Sequence, residues 1–234
     1  MTIPDYTLRY SKKAKHLQLR MSNKGLEVIV PVKKHISTSV LHDFIIQKKD
    51  WIAKVQQKYL NSHESTTIAK LPERIDLQAI NQIWTVGYLT TKHKRVSLYT
   101  NPSRQIKLVG NMANEPDCIE LLKQWLKQMA ESHLCEMLRS ISNEVGIPFH
   151  QATIRNNTTR WGSCTSKKNI SLCCRLLFLP AYLVRHVILH ELCHTKIMHH
   201  GKAFWDLLTK LDPNTDIHDK ALKKGAKLIP RWII

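Results

Sequence analysis

The H-E-L-C-H sequence of residues 190–194 constrains the fold most, because it lies in an apolar-periodic stretch that predicts an α-helix over about 180–198. Residues four apart share one face of an α-helix, so the imidazoles of His190 and His194 can bind the same metal ion. Glu191 is directed to the neighbouring part of this face, within reach of a water bound by the metal. The helix is therefore predicted to place its apolar side in a core and its histidines in a cleft.

This pattern indicates a hydrolase that uses Zn²⁺ as its cofactor. Zinc held by three protein ligands keeps a fourth position open for water and lowers the pKa of that water. A neighbouring carboxylate then removes the proton as the oxygen attacks a carbonyl carbon. The sequence therefore predicts His190 and His194 as metal ligands and Glu191 as the general base.

A third ligand is required, and His200 is the favoured candidate. It lies six residues after His194 and would face away on a continuous helix, so the helix has to end near residue 198. Gly201 makes a turn plausible there. The alternatives that the sequence leaves open are His199, Asp206 and Asp212.

Three residues near the motif are predicted to lie in or around the site without binding the metal. His186, one turn before His190, falls near the same helix face and is expected to support the site or to lie at the surface. Phe204 and Trp205, on a helix predicted over 202–211, are expected in the core.

The remaining patterns predict an α+β fold. The N-terminal half is β-rich: strands are expected near 6–10, 16–21, 26–30, 74–80, 82–89, 94–100 and 104–110, with one helix from Ser37 or Ser39 to about residue 60. The C-terminal half is helix-rich: a long helix is expected from Pro116 to about 141, strands over 152–155 and 170–179, and a last helix over 215–227. We therefore predict a β-rich N-terminal subdomain, residues 1–112, and a catalytic domain, residues 113–234.

The charge balance is strongly basic, with 36 Lys and Arg against 18 Asp and Glu and a net charge of +18. Such a balance favours contact with an acidic partner, and nonspecific nucleic-acid binding is one possibility. No helix-turn-helix, RNP-like or zinc-finger signature accompanies it. The six cysteines form no C-x-x-C pair, and the sequence shows neither a signal peptide nor a membrane span, so we expect reduced thiols and a cytoplasmic location.

Several segments resemble the YgjP-like metallopeptidase family, relatives of the SprT and WLM zincins. They are N-N-T-T-R-W-G-S-C at 156–164, N-I-S-L at 169–172, the motif at 190–194, His200 before A-F-W at 203–205, and segments at 15–20 and 25–31. The resemblance implies a zincin-like catalytic domain with its active-site helix beside a small sheet. It also implies zinc bound by His190, His194 and His200, Glu191 as the base, and a protein or peptide substrate.

The R-W-G-S-C part of that resemblance allows two interpretations. Arg160 or Asn156 could orient the substrate or stabilise an oxyanion, next to an edge strand at 170–174 that pairs with an extended peptide. Alternatively, residues 161–163 form a packed turn that supports the helix.

Two other functions stay open at this point. One is a basic, nucleic-acid-associated protein whose zinc site is structural or vestigial, and the other is a zinc hydrolase with a non-peptide substrate. Neither is distinguished by the motif alone.

Overall fold

The computed structural model describes residues 4–22, 25–32, 36–64 and 71–233. The chain divides into two compact units, Met1–Ile68 and Ala69–Ile234. Their described residues form six α-helices and three small sheets, which confirms the predicted α+β fold. No helix within these stretches combines the length and the apolar character needed to cross a membrane.

The first unit is a three-stranded sheet followed by two helices. These elements are β1 (Tyr6–Ser11), β2 (Gln18–Ser22), β3 (Gly25–Pro31), α1 (Thr38–Gln47) and α2 (Lys49–Glu64). The central strand, β3, pairs in parallel with β1 and in antiparallel with β2. The turn predicted between β2 and β3 includes residues 23 and 24, which lie outside the described residues.

Alternating apolar residues of β3 give this unit its core. Leu26, Val28 and Val30 are buried and share one cluster with Leu41 and Ile45 of α1. The Ser37 hydroxyl accepts a hydrogen bond from the Val40 amide and caps α1, as its sequence predicts. The single helix predicted to about residue 60 is instead two, because α1 ends at Gln47 and α2 begins at Lys49.

The second unit begins with a four-stranded sheet and a long helix. These elements are β4 (Arg74–Leu77), β5 (Gln82–Thr90), β6 (Ser97–Thr100), β7 (Gln105–Gly110) and α3 (Glu115–Val145), and the strand order is β4-β5-β7-β6. Trp84 of β5 packs edge-on against Trp125 of α3, with ring centroids 5.1 Å apart. The predicted boundary between residues 112 and 113 falls inside this unit, between β7 and α3.

The elements that carry the functional motif follow α3. They are β8 (Gln151–Arg155), β9 (Gly162–Cys164), β10 (Asn169–Cys173), α4 (Ala181–His194), α5 (Lys202–Leu211) and α6 (Thr215–Gly225). The strand order is β8-β10-β9, so β10 is the central strand. The prediction of an edge strand at 170–174 is therefore wrong. The edge beside α4 is β9, a three-residue strand inside a segment predicted as turns.

The predicted strand over 170–179 is also too long. Residues 174–178 form a short 3-10 helix whose side chains are all buried. This turn carries the chain from β10 to Pro180, where α4 begins. Apolar residues of β4 to β7 and of α3 to α5 form one continuous core, against which α4 is fixed.

Candidate metal centre

The helix α4 places the motif at its C-terminal end. Its apolar positions include Leu183, Val187 and Leu192, which are buried in the core of the second unit. His190 and His194 lie one turn apart, and both rings pack against Phe204 of α5. The predicted helix is therefore present, although it ends at His194 and not near residue 198, and its spacing brings both imidazoles to one point.

His200 reaches the same point because the chain leaves the helix after His194. Its Nε2 atom lies 3.1 Å from Nε2 of His190 and 3.1 Å from Nε2 of His194. The Nε2 atoms of His190 and His194 are 3.2 Å apart. The structure thus brings the three predicted ligand nitrogens into a nearly equilateral triangle.

The arrangement of these three nitrogens suits the binding of one cation better than hydrogen bonding among the three rings. Nδ1 of His194 donates to the Ile197 carbonyl at 3.1 Å, so Nε2 of this ring presents a lone pair to the other two. Bonds of about 2.0–2.1 Å to a tetrahedral zinc ion would separate neighbouring nitrogens by about 3.3 Å. Burial, together with the charges of His194 and His200, lowers the pKa of His190 to about 4. Its ring is therefore neutral near pH 7, as a metal ligand has to be.

Two aromatic residues of α5 support the triangle. The Phe204 ring is fully buried, with its centroid 4.6–5.0 Å from those of all three imidazoles. Trp205 donates from Nε1 to the His200 carbonyl at 3.1 Å and thereby holds the third histidine. The core prediction is correct for Phe204 but wrong for Trp205, which is 37% exposed.

Glu191 lies buried beside the triangle, against strand β9. A β-carbon on Gly162 would lie only 2.6 Å from Oε1 of Glu191, so glycine is needed there for the two elements to approach. Oε2 of Glu191 is buried and has no hydrogen-bond partner among the described residues. Burial raises the pKa of Glu191 to about 8, although the Arg160 guanidinium opposes the shift. The arrangement leaves Oε2 of Glu191 available to accept a hydrogen bond or a proton from a group that enters the site.

The alternatives for the third ligand lie elsewhere. His199 is exposed, and its Nδ1 accepts a hydrogen bond from the Gly201 amide at 3.3 Å. The carboxylate of Asp206 pairs with Lys202 on the surface of α5 at 2.8 Å. Asp212 accepts hydrogen bonds from two other histidines. The structure therefore brings only His200 to the motif.

The family profile for the YgjP-like metallopeptidase domain matches residues 15–225. The chain belongs to the YgjP-like metallopeptidase family. It is accordingly a metallopeptidase, a hydrolase of peptide bonds. A search among curated proteins finds no match.

Two solved structures that are similar to this YgjP-like chain are metallopeptidase zymogens. Pyrococcus abyssi abylysin is 22% identical and covers 39% of this chain and 93% of its own, with a TM-score of 0.35. Methanocaldococcus jannaschii jannalysin is 21% identical and covers 41% of this chain and 97% of its own, also with a TM-score of 0.35.

A second histidine cluster in the YgjP-like chain surrounds Asp212, at the end of α5. Oδ2 of Asp212 lies 2.6 Å from Nδ1 of His186 and 2.8 Å from Nδ1 of His218. Nε2 of His186 lies 3.0 Å from Oδ1 of Asp219. These are hydrogen-bond distances, shorter than the nitrogen separations in the triangle. The network joins α4 to α6, and it shows that His186 is a buried support and not a surface residue.

Two neighbouring cavities lie on this side of the metallopeptidase unit, and the first of them contains Glu191. The first, of about 260 Å³, is lined by His190 and Glu191 of α4, by Asp219 and by residues 160–162. The second, of about 320 Å³, is lined by residues 157–161, Arg175 and residues of α6 and its C-terminal end. Both include Arg160, Trp161 and Leu222, so they lie side by side.

The two predicted substrate-binding residues differ in their position relative to the two cavities. Arg160 lines both cavities and acts on the pKa of Glu191, so it lies near the site. Asn156 lines neither, and its Oδ1 accepts a hydrogen bond from Nε of Arg175 at 2.8 Å. No local pattern indicates Gly162 as a contact of Glu191, because that contact depends on how β9 packs against α4.

Proposed function

We propose that this metallopeptidase depends on zinc, with His190, His194 and His200 as the metal ligands and Glu191 as the general base. One observation carries the proposal: three imidazole Nε2 atoms converge within 3.1–3.2 Å, next to a buried carboxylate oxygen that has no partner among the described residues. Three histidines are a donor set that zinc favours in catalytic sites.

The chemistry divides between the ion and Glu191. A bound zinc ion would polarise the scissile carbonyl and lower the pKa of water at the site. Glu191 accepts the proton of the attacking water on its carboxylate and later delivers it to the leaving amine. Its Oε2 atom is buried and has no hydrogen-bond partner among the described residues, so it is available to take up that proton.

The edge strand β9 offers a place for the peptide backbone. Cys173 donates from its amide to the Trp161 carbonyl at 2.8 Å, and Thr165 donates to the Asn169 carbonyl at 3.0 Å. In an antiparallel pair, the residues between such positions direct their amide and carbonyl groups away from the partner strand. The main chain of Gly162 can therefore pair with an extended substrate directly beside Glu191.

Arg160 is the better candidate of the two predicted substrate-binding residues. Its guanidinium lies beside the cavity that contains Glu191, where it can orient a carbonyl or stabilise an oxyanion. Asn156 is engaged by Arg175, and we assign it a supporting part.

The test combines metal analysis with a peptide-cleavage screen on the wild-type protein, His190→Ala and Glu191→Gln. We expect about one zinc ion per chain in the wild type and in Glu191→Gln, and none in His190→Ala. Peptide cleavage should be present only in the wild type. Cleavage by zinc-loaded Glu191→Gln at the wild-type rate would refute the mechanism, and stoichiometric zinc in His190→Ala would refute the site. The cytoplasmic location and nucleic-acid contact stay predictions.

A further inference from the structure

The charged side chains that line the second cavity are all positive. Three cationic side chains line it: Arg160 before β9, Arg175 after β10 and Lys223 on α6. The hydroxyl-bearing Thr158 and Thr159 line it as well, and no carboxylate is found among its described lining residues. A concave site with several cations and hydroxyl donors and no acidic group is suited to an anion.

The charge of Arg175 strengthens this conclusion. Arg175 is only 6% exposed, and its guanidinium donates to two neutral acceptors, Oδ1 of Asn156 at 2.8 Å and the Ile233 carbonyl at 2.9 Å. No carboxylate among the described residues forms an ion pair with it. The Arg175 guanidinium adds a fixed positive charge to the wall of this cavity, so an anion that enters it is favoured electrostatically.

The cavity is also in the right place for a substrate. It shares Arg160, Trp161 and Leu222 with the cavity that contains Glu191, so a chain bound at one can extend into the other. Leu222 and Ile229 add an apolar wall, against which the methylene groups of a side chain can pack.

We propose that this cavity is a specificity subsite for an acidic side chain, Asp or Glu, of the peptide substrate. The inference rests on the proposed function, because it names the class of peptide that the site accepts. The carboxylate would take charge-assisted hydrogen bonds from Lys223 and Arg160 near the mouth, above the buried charge of Arg175.

Lys223 is the residue to change, because it is exposed and lies outside the core. Lys224 is its matched control: it is the next residue of the same helix end, is exposed and does not line the cavity. Lys223→Glu and Lys224→Glu alter the net charge of the protein equally. Each is made in a zinc-loaded Glu191→Gln protein, so that the bound peptide stays intact.

Binding is measured by fluorescence anisotropy with two labelled peptides of about ten residues, alike except that Glu in one replaces Gln in the other. We expect the Glu peptide to bind about three- to tenfold more tightly. Lys223→Glu should reduce this preference below about twofold, and Lys224→Glu should leave it in place. A short single-stranded oligonucleotide is tested in the same way.

The inference is overturned if the two peptides bind equally, or if both lysine variants lose the preference to the same extent. It is also overturned if the oligonucleotide binds more tightly than the Glu peptide and only its binding depends on Lys223, because the cavity would then serve a phosphate backbone. A Glu preference that depends on Lys223 would support the subsite even if wild-type protein cleaved no peptide. That absence of cleavage would count against the proposed function alone.

Discussion

The α-carbon of Gly162 lies so close to Glu191 that a β-carbon would be 2.6 Å from Oε1 and 2.8 Å from Cγ of this side chain. Both distances are far below van der Waals contact, so any larger residue at position 162 has to displace the carboxylate. Gly162 therefore fixes the position of the proposed base without contributing a side chain.

Gly162→Ala should lower kcat for peptide cleavage by about 100-fold or more, because a displacement of about 1 Å at a reacting group costs that much. Zinc content should stay at the wild-type value, since the alanine lies against Glu191 and not against the histidines. Gly87→Ala is the control, because a β-carbon there meets only the Ile106 carbonyl, at 3.9 Å. Wild-type kcat in Gly162→Ala would show that the carboxylate does not need this position.

His200→Ala should abolish stoichiometric zinc binding, whereas the neighbouring change His199→Ala should leave it intact. Only the first removes a nitrogen of the triangle, since His199 interacts with the Gly201 amide instead. Zinc should raise the Tm of the wild type and of His199→Ala, because a ligand that binds the folded state stabilises it. Equal loss of this Tm shift in both variants would contradict the assignment of the third ligand.

Removal of the metal should expose the energetic cost of burying Glu191. Its pKa is about 8 in the fold against an ordinary value of 4.5, so between these limits the folded state holds a proton that the unfolded chain releases. The free energy of unfolding should therefore fall as pH rises from about 4.5 to about 8. The Glu191→Gln variant has no titratable carboxyl group at this position. When a chelator has removed the metal from both proteins, the variant should be more stable than the wild type by roughly 1–3 kcal/mol at pH 8.

Urea unfolding at several pH values measures this difference. The gain in stability should shrink towards zero as the pH is lowered to about 4.5, because both proteins then carry a neutral side chain at position 191. A gain that is the same at every pH would mean that the substitution acts through packing and not through proton uptake.

Asp212→Asn should destabilise the protein by about 2–4 kcal/mol, because it weakens a buried network that joins α4 to α6. Burial raises the pKa of Asp212, but hydrogen bonds from His218 and His186 outweigh it and hold the pKa below its ordinary value. The stability that this carboxylate contributes is thus present near pH 7 and is lost as pH falls through its folded pKa.

The matched control is Asp206→Asn, which removes only the exposed pair with Lys202 and should leave the free energy of unfolding essentially unchanged. Zinc content should be unchanged in both variants. Loss of zinc in Asp212→Asn with the fold intact would indicate that Asp212 is a metal ligand.

The sequence predicted α4 well because two local signals agree there. The apolar period fixes the buried face, and the spacing of His190 and His194 brings both rings to one point. The end of the helix was predicted about four residues too late, because α4 ends at His194 and not near residue 198. The choice among four candidate third ligands needed the structure, because it depends on the path of the chain after the helix.

The sheet beside α4 was harder to predict. The strand β9 has only three residues within a polar, turn-rich segment, so its pattern is too short to show a period. The order of the strands, with β10 in the centre, comes from pairings between distant residues. The contact of Gly162 with Glu191 and the hydrogen bonds to Asp212 also join different elements of the fold, and no local spacing in the sequence predicts them.

The helix α6 supplies none of the three triangle nitrogens, yet its residues line the cavity that contains Glu191 and the neighbouring cavity proposed as a subsite. Under these proposals, reaction chemistry and substrate choice are encoded in different segments of the chain. Exchange of residues 222 and 223 should redirect selectivity while the three histidines and Glu191 stay in place. Such a division gives laboratory evolution a small target for retuning the enzyme.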